Sequence, residues 1–153
     1  MRDILLICIG NEFRRDDRIA WLLADQLSEE KNVRVVKHSG EGTALLDLWS
    51  ENPNASIILV DAMKTAQKPG TMMWWPNIDA IPAGCGFRCS SHQFSVLEAI
   101  ALAKELGRLP RQMAVLGIEG LDFQFGTELS RDVLAVLPQA ERRLREEIQQ
   151  CMK

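Results

Sequence analysis

The sequence lacks a long apolar run near its start: Ile4 to Ile9 is six residues and stops at Gly10, against about 20 needed to span a bilayer. The run also makes a poor signal peptide, since no small-residue cleavage site follows it and Asp3 precedes it, so the chain is expected in the cytoplasm and off the membrane. There is no basic excess. Lys and Arg total 18 against 21 Asp and Glu, a net charge of −3, and without a basic footprint no nucleic-acid partner is expected. With 10 Gly and 6 Pro the chain is neither collagen-like nor of low complexity. Four cysteines (Cys8, Cys85, Cys89, Cys151) are not spaced as a secreted disulfide scaffold, and a reducing compartment keeps them as thiols. Gly10-Asn11-Glu12-Phe13-Arg14 is without the second and third glycines of a dinucleotide fingerprint, and neither a phosphate loop nor a G-x-S-x-G elbow occurs.

What is present is a globular composition, 46% apolar and 25% charged over 153 residues, which is one domain's length. Residues 1–153 are therefore read as a single domain. Ile4 to Ile9 reads as a strand buried on both faces. Asp17 to Leu27 has helical spacing with acids at its start, and Val33 to Val36 is a short strand closed by Ser39-Gly40. Thr43 to Trp49 is a short amphipathic helix, and Ser56 to Val60 is a buried strand ending at Asp61. Met72 to Trp75 reads as an edge strand, with the Trp pair packing under a neighbouring helix, and Asn77 to Cys89 as a long loop. Ser90-Ser91 caps a helix that stops at Gly107. Met113 to Ile118 is a strand, Gly120 to Gly126 a loop, and Leu129 to Ile148 a helical region broken near Pro138. This alternation predicts an α/β fold of three layers, α/β/α, around a mostly parallel sheet of about five strands.

In such sheets ligands gather at the carboxyl ends of the strands. Asp17 follows the first strand, Asp61 ends the third, and His92 opens a helix after the long loop, so two carboxylates and an imidazole converge on one edge. That donor set suits a divalent ion of borderline softness, nickel or zinc more than calcium. The plainer readings stand beside it: Asp16 or Asp17 as an acid favoured by a helix dipole, His92 as an ordinary first-turn residue. Cys85, Cys89 and His92 form a competing C-x3-C-x2-H set that offers only three ligands, one short of a closed zinc site. Cys8 reads as a small core residue, Cys151 as incidental in a frayed tail, and His38 as a polar residue bordering the edge.

Gly10-Asn11 with Asp16-Asp17, Val60-Asp61-Ala62 with Pro69-Gly70-Thr71, Ser90-Ser91-His92, Gly117-Ile118-Glu119 and Leu129-Ser130 follow one another in an order that resembles the hydrogenase maturation endopeptidases, from Ile4 to Val133. The resemblance implies an enzyme that removes a C-terminal extension from the large-subunit precursor of a [NiFe] hydrogenase after nickel insertion. It carries the family's metal-contacting and catalytic positions onto Asp17, Asp61 and His92. Nickel would come with the precursor, with no permanently bound cofactor, and the enzyme would act as a monomer. Arg18 and Ala20 stand where the family usually has glycines, so an Arg18 aimed into the cleft would weaken metal binding, and a glycine of positive φ would not yield cheaply to arginine. Two other readings keep the cleft but change its use: a non-catalytic nickel-handling or hydrogenase-binding accessory protein, and a metallopeptidase with its own zinc.

Overall fold

The structure, a computed structural model, describes residues 3–82 and 96–152. The sheet begins with β1 (Ile4–Ile9), an interior strand whose six side chains are all buried. A strand apolar at every position must be covered on both faces. It pairs in parallel with β2 (Val33–His38) on one side and β3 (Ser56–Met63) on the other. Beyond β3 lies β5 (Gln112–Glu119), also parallel, and β4 (Met72–Trp75) closes that edge antiparallel, giving the order β2-β1-β3-β5-β4. This is the expected three-layer α/β architecture with five strands.

Side chains alternate between the two faces. Ile4, Leu6, Cys8, Ile58, Val60 and Leu116 face α1 (Ile19–Leu27) and α4 (Arg131–Cys151), while Leu5, Ile7, Leu59 and Val115 face α2 (Gly42–Glu51) and α3 (Val96–Glu105). Each such aliphatic side chain contributes about 1.5–3 kcal/mol by leaving water. The Glu41 carboxylate caps α2, accepting from the N–H groups of Thr43 (3.0 Å) and Ala44 (2.8 Å).

Several boundaries differ from the sequence reading. Residues Arg15–Arg18 form a separate 3-10 turn before α1. Strand β2 continues to His38, and β3 runs past Asp61 to Met63 because β5 offers partners as far as Glu119. Helix α4 passes through Pro138 unbroken. A mid-helix proline costs roughly 3 kcal/mol, and the stripe Val133, Val136, Ala140, Leu144 and Ile148, all buried across that point, offsets it. Cys151 is the last residue of α4 and packs on the core rather than lying in a frayed tail. The start of the helix expected from Ser90-Ser91 lies outside the described residues. Trp74 and Trp75 pack on opposite faces of the sheet, Trp74 beneath Arg143 of α4, whose guanidinium carbon is 5.3 Å from the ring centroid. Among the described residues no helix is long and apolar enough to cross a membrane.

Candidate functional site at the carboxyl edge

From β1 the chain moves outward to β2, then returns to the other side of β1 as β3. The strand order therefore reverses between β1 and β3, and at such a switch point the loops leaving the two strands part and open a crevice. Asp17 lies on the segment leaving β1, and Asp61 is on β3 itself.

Asp17 is placed by a tight fold-back. Its backbone carbonyl accepts the Asn11 N–H at 3.2 Å, and its own N–H donates to the Arg14 carbonyl at 3.0 Å. The return passes so close over Gly10 that a Cβ there would sit 2.3 Å from the Asp17 carbonyl oxygen, so only glycine fits. The 3-10 turn carrying Asp17 rests against β3, and Asp17 is 4% exposed. Arg15 enters the turn at φ 46°, a left-handed conformation unfavourable for a side chain. It is held there by its N–H bond to the Gly126 carbonyl at 3.0 Å.

Asp61 is 1% exposed. Pleat alternation puts its side chain on the α2/α3 side, the side of Leu59 and Met63. Register aligns it with Ile9 of β1, and Ile9 with His38 of β2. Helix α3 leads through a short connection into the start of β5, so its amino end points to this same edge. His92 precedes that end by four residues and lies outside the described residues, as do Cys85 and Cys89. Among the described residues no group of three or more His, Cys, Asp or Glu side chains is placed to hold a metal ion. The structure thus brings Asp17 and Asp61 to adjoining elements at one edge. As oxygen donors these two acids suit a divalent cation, or a general-base role toward water.

Two further buried acids support this edge. Asp16 does not serve as a dipole-favoured acid on α1. Its carboxylate accepts the N–H groups of Leu121 (2.8 Å), Asp122 (2.8 Å) and Ser130 (2.7 Å) and the Ser130 hydroxyl (2.7 Å). The loop between β5 and α4 is thereby clamped to the turn that carries Asp17. Glu119, at the end of β5, accepts the N–H of Thr65 at 2.8 Å and its hydroxyl, fixing the segment that follows β3. Neither role was visible in sequence. The signal available was only that each acid closely follows an apolar strand, and the partners lie 54 to 114 residues away.

Arg18 has φ −79° and ψ −14°, ordinary right-handed geometry, so the arginine is accommodated without backbone strain. Its guanidinium donates to the Thr127 carbonyl at 2.9 Å, adding a further tie to the β5–α4 loop. Ala20 is fully buried in α1. His38 accepts the Gly40 N–H on Nδ1 at 2.9 Å, and its carbonyl accepts from Gly10 N–H and Trp21 Nε1. Burial holds its pKa below 6.5, with Glu41 opposing.

Known proteins resemble this chain in fold and in sequence. The hydrogenase maturating endopeptidase HybD from E. coli superposes with a TM-score of 0.79, covering 99% of this chain and 94% of that one at 19% identity. The [NiFe] hydrogenase maturation protease HybD from Thermococcus kodakarensis gives 0.71, over 97% and 99%, at 24% identity. In sequence, the hydrogenase expression/formation protein HoxM of Azotobacter vinelandii is 28% identical over 146 residues, 92% of this chain and 69% of HoxM. HupD of Rhodobacter capsulatus is 26% identical over 126 residues, 79% of this chain, which spans 59% of HupD's length. The sequence pattern of the hydrogenase maturation proteases matches residues 18–147, a stretch that begins just after Asp17 and takes in Asp61, His92 and Ser130. A match over so much of the chain, on a sheet whose switch point gathers buried acids, places it: the chain belongs to the hydrogenase maturation protease family.

Proposed function

We propose that the chain is an endopeptidase that removes the C-terminal extension of a [NiFe] hydrogenase large-subunit precursor once nickel has been inserted, working in the cytoplasm as a monomer. The observation that carries this reading is the pair of buried carboxylates, Asp17 and Asp61, on adjoining elements at the switch point of a maturation-protease fold. In this reading the nickel arrives as part of the substrate, and Asp17, Asp61 and His92 complete its coordination. Borderline divalent ions accept carboxylate and imidazole donors together. Docking on the metal holds the scissile peptide beside it, which turns recognition into positioning. Water is then activated either by the nickel as Lewis acid or by one of the two carboxylates as general base. The tie from Arg18 to the Thr127 carbonyl supports metal access, because it occupies that guanidinium on the β5–α4 loop.

The test is cleavage of a nickel-loaded cognate precursor, followed by mass spectrometry. The expected result is loss of the extension from the loaded form only, with Asp17→Asn and Asp61→Asn each lowering the rate at least a hundredfold while the proteins stay folded. Tight binding of the loaded precursor without cleavage would instead establish an accessory role. Stoichiometric zinc in the purified protein, required for cleavage of nickel-free precursor, would establish a resident-metal peptidase.

A further inference from the structure

The loop that carries Asp17 also carries a large apolar side chain in water. Phe13 is 52% exposed and stacks on Phe125, which is 76% exposed, with ring centroids 6.3 Å apart and planes 17° from parallel. Single exposed apolar residues are common on protein surfaces, whereas two large rings stacked on one another in water form a contiguous apolar patch that points to a site of contact.

The two loops are cross-braced rather than loose. Gly126 N–H donates to the Phe13 carbonyl at 2.9 Å, and Arg15 N–H to the Gly126 carbonyl at 3.0 Å. The Asp16 clamp and the Arg18 bond to Thr127 hold the rest of the loop in place. The aromatic pair is therefore presented already ordered, so little conformational freedom is lost when it is covered. Exposed Glu12, Arg14 and Glu128 border it with charges of both signs. An apolar centre within a polar rim is the anatomy of a protein–protein contact. Phe13 stands only four positions before Asp17, so on the proposed reading a folded substrate that brings a peptide to Asp17 meets this surface.

We propose that Phe13 and Phe125 form a docking surface for an apolar segment of the large-subunit precursor, outside the residues that meet the nickel. This rests on the reading of the chain as a protease acting on that precursor, and it assigns the surface that selects the substrate. Aromatic anchors of this kind dominate the energetics of such contacts.

The experiment measures the affinity of the full chain for nickel-loaded cognate precursor by surface plasmon resonance, with cleavage read separately. Phe125→Ser, and Phe13→Ser with Phe125→Ser, are expected to weaken binding at least about tenfold and to raise KM with little change in kcat. Leu134→Ser, which removes an equally exposed apolar residue from α4, is expected to leave both unchanged. Circular dichroism and thermal melting verify that each variant is folded. Unchanged affinity in the double variant overturns the proposal, as does a concentration-dependent dimer of the wild type that the same substitutions dissolve. Wild-type protein that binds without cleaving, and loses that binding in the double variant, keeps the docking surface and sinks the peptidase reading.

Discussion

His38 closes β2 with an acceptor that exists only while Nδ1 carries no proton, since that nitrogen takes the Gly40 N–H. Burial lowers its pKa from 6.5, and the opposing pull of Glu41 is the smaller influence. The unfolded chain therefore binds this proton at a higher pH than the folded one. Between the lowered folded pKa and 6.5 the unfolded state holds more protons, so stability falls as pH drops through that window and levels off below it. In His38→Asn the side-chain Oδ1 takes over the acceptor role and the titration disappears. Urea midpoints followed from pH 7.5 to 5 are expected to decline in the wild type and to decline less in the variant; equal slopes would show that His38 is not the responsible group. Its position was legible in sequence, its partners were not. The same holds for Arg18, whose conformation depends on a turn that the residues around it do not announce.

At the scale of elements, the joint between the 3-10 turn and the β5–α4 loop hangs on one carboxylate. Asp16→Ala removes the buried carboxylate that the N–H groups of Leu121, Asp122 and Ser130 share as their acceptor. A hydrogen bond to a charged acceptor is worth about 1.5–3 kcal/mol, so with several lost together urea denaturation is expected to show a loss of at least about 3 kcal/mol. Limited proteolysis should open first between Gly120 and Ser130. A loss below about 1 kcal/mol would mean that the loop finds other acceptors. The helices and strands themselves were largely readable, because continuous apolar runs such as Ile4 to Ile9 have one reading in an alternating α/β pattern. At Pro138 of α4 the local propensity says break, and only the stripe buried against α1 says continue. Asp16 is ambiguous for a related reason: a first-turn acid and a long-range clamp look alike in sequence.

For the whole molecule, the fold was legible and the site partly so. Parallel strands and the rule that ligands sit at their carboxyl ends brought Asp17 and Asp61 to one edge, and the sheet order puts them on either side of its switch point. What the sequence withheld was the brace of long-range hydrogen bonds that makes the edge rigid. Rigidity of the centre has its own reporter in Cys8. The residue is fully buried in β1, hydrogen-bonded between β2 and β3, and burial pushes its thiol up to about 12 against a smaller lowering by Lys37. Thiolate is the reactive form, so at pH 8 iodoacetamide should leave Cys8 untouched in the native protein. Reaching it means parting the central strands, which share one core with α1 and α4. Alkylation mapped to Cys8 by peptide mass spectrometry is then expected to rise with urea in parallel with global unfolding followed by circular dichroism. Labelling well below the unfolding transition, with little urea dependence, would instead show that β1 opens locally while the rest of the fold stands.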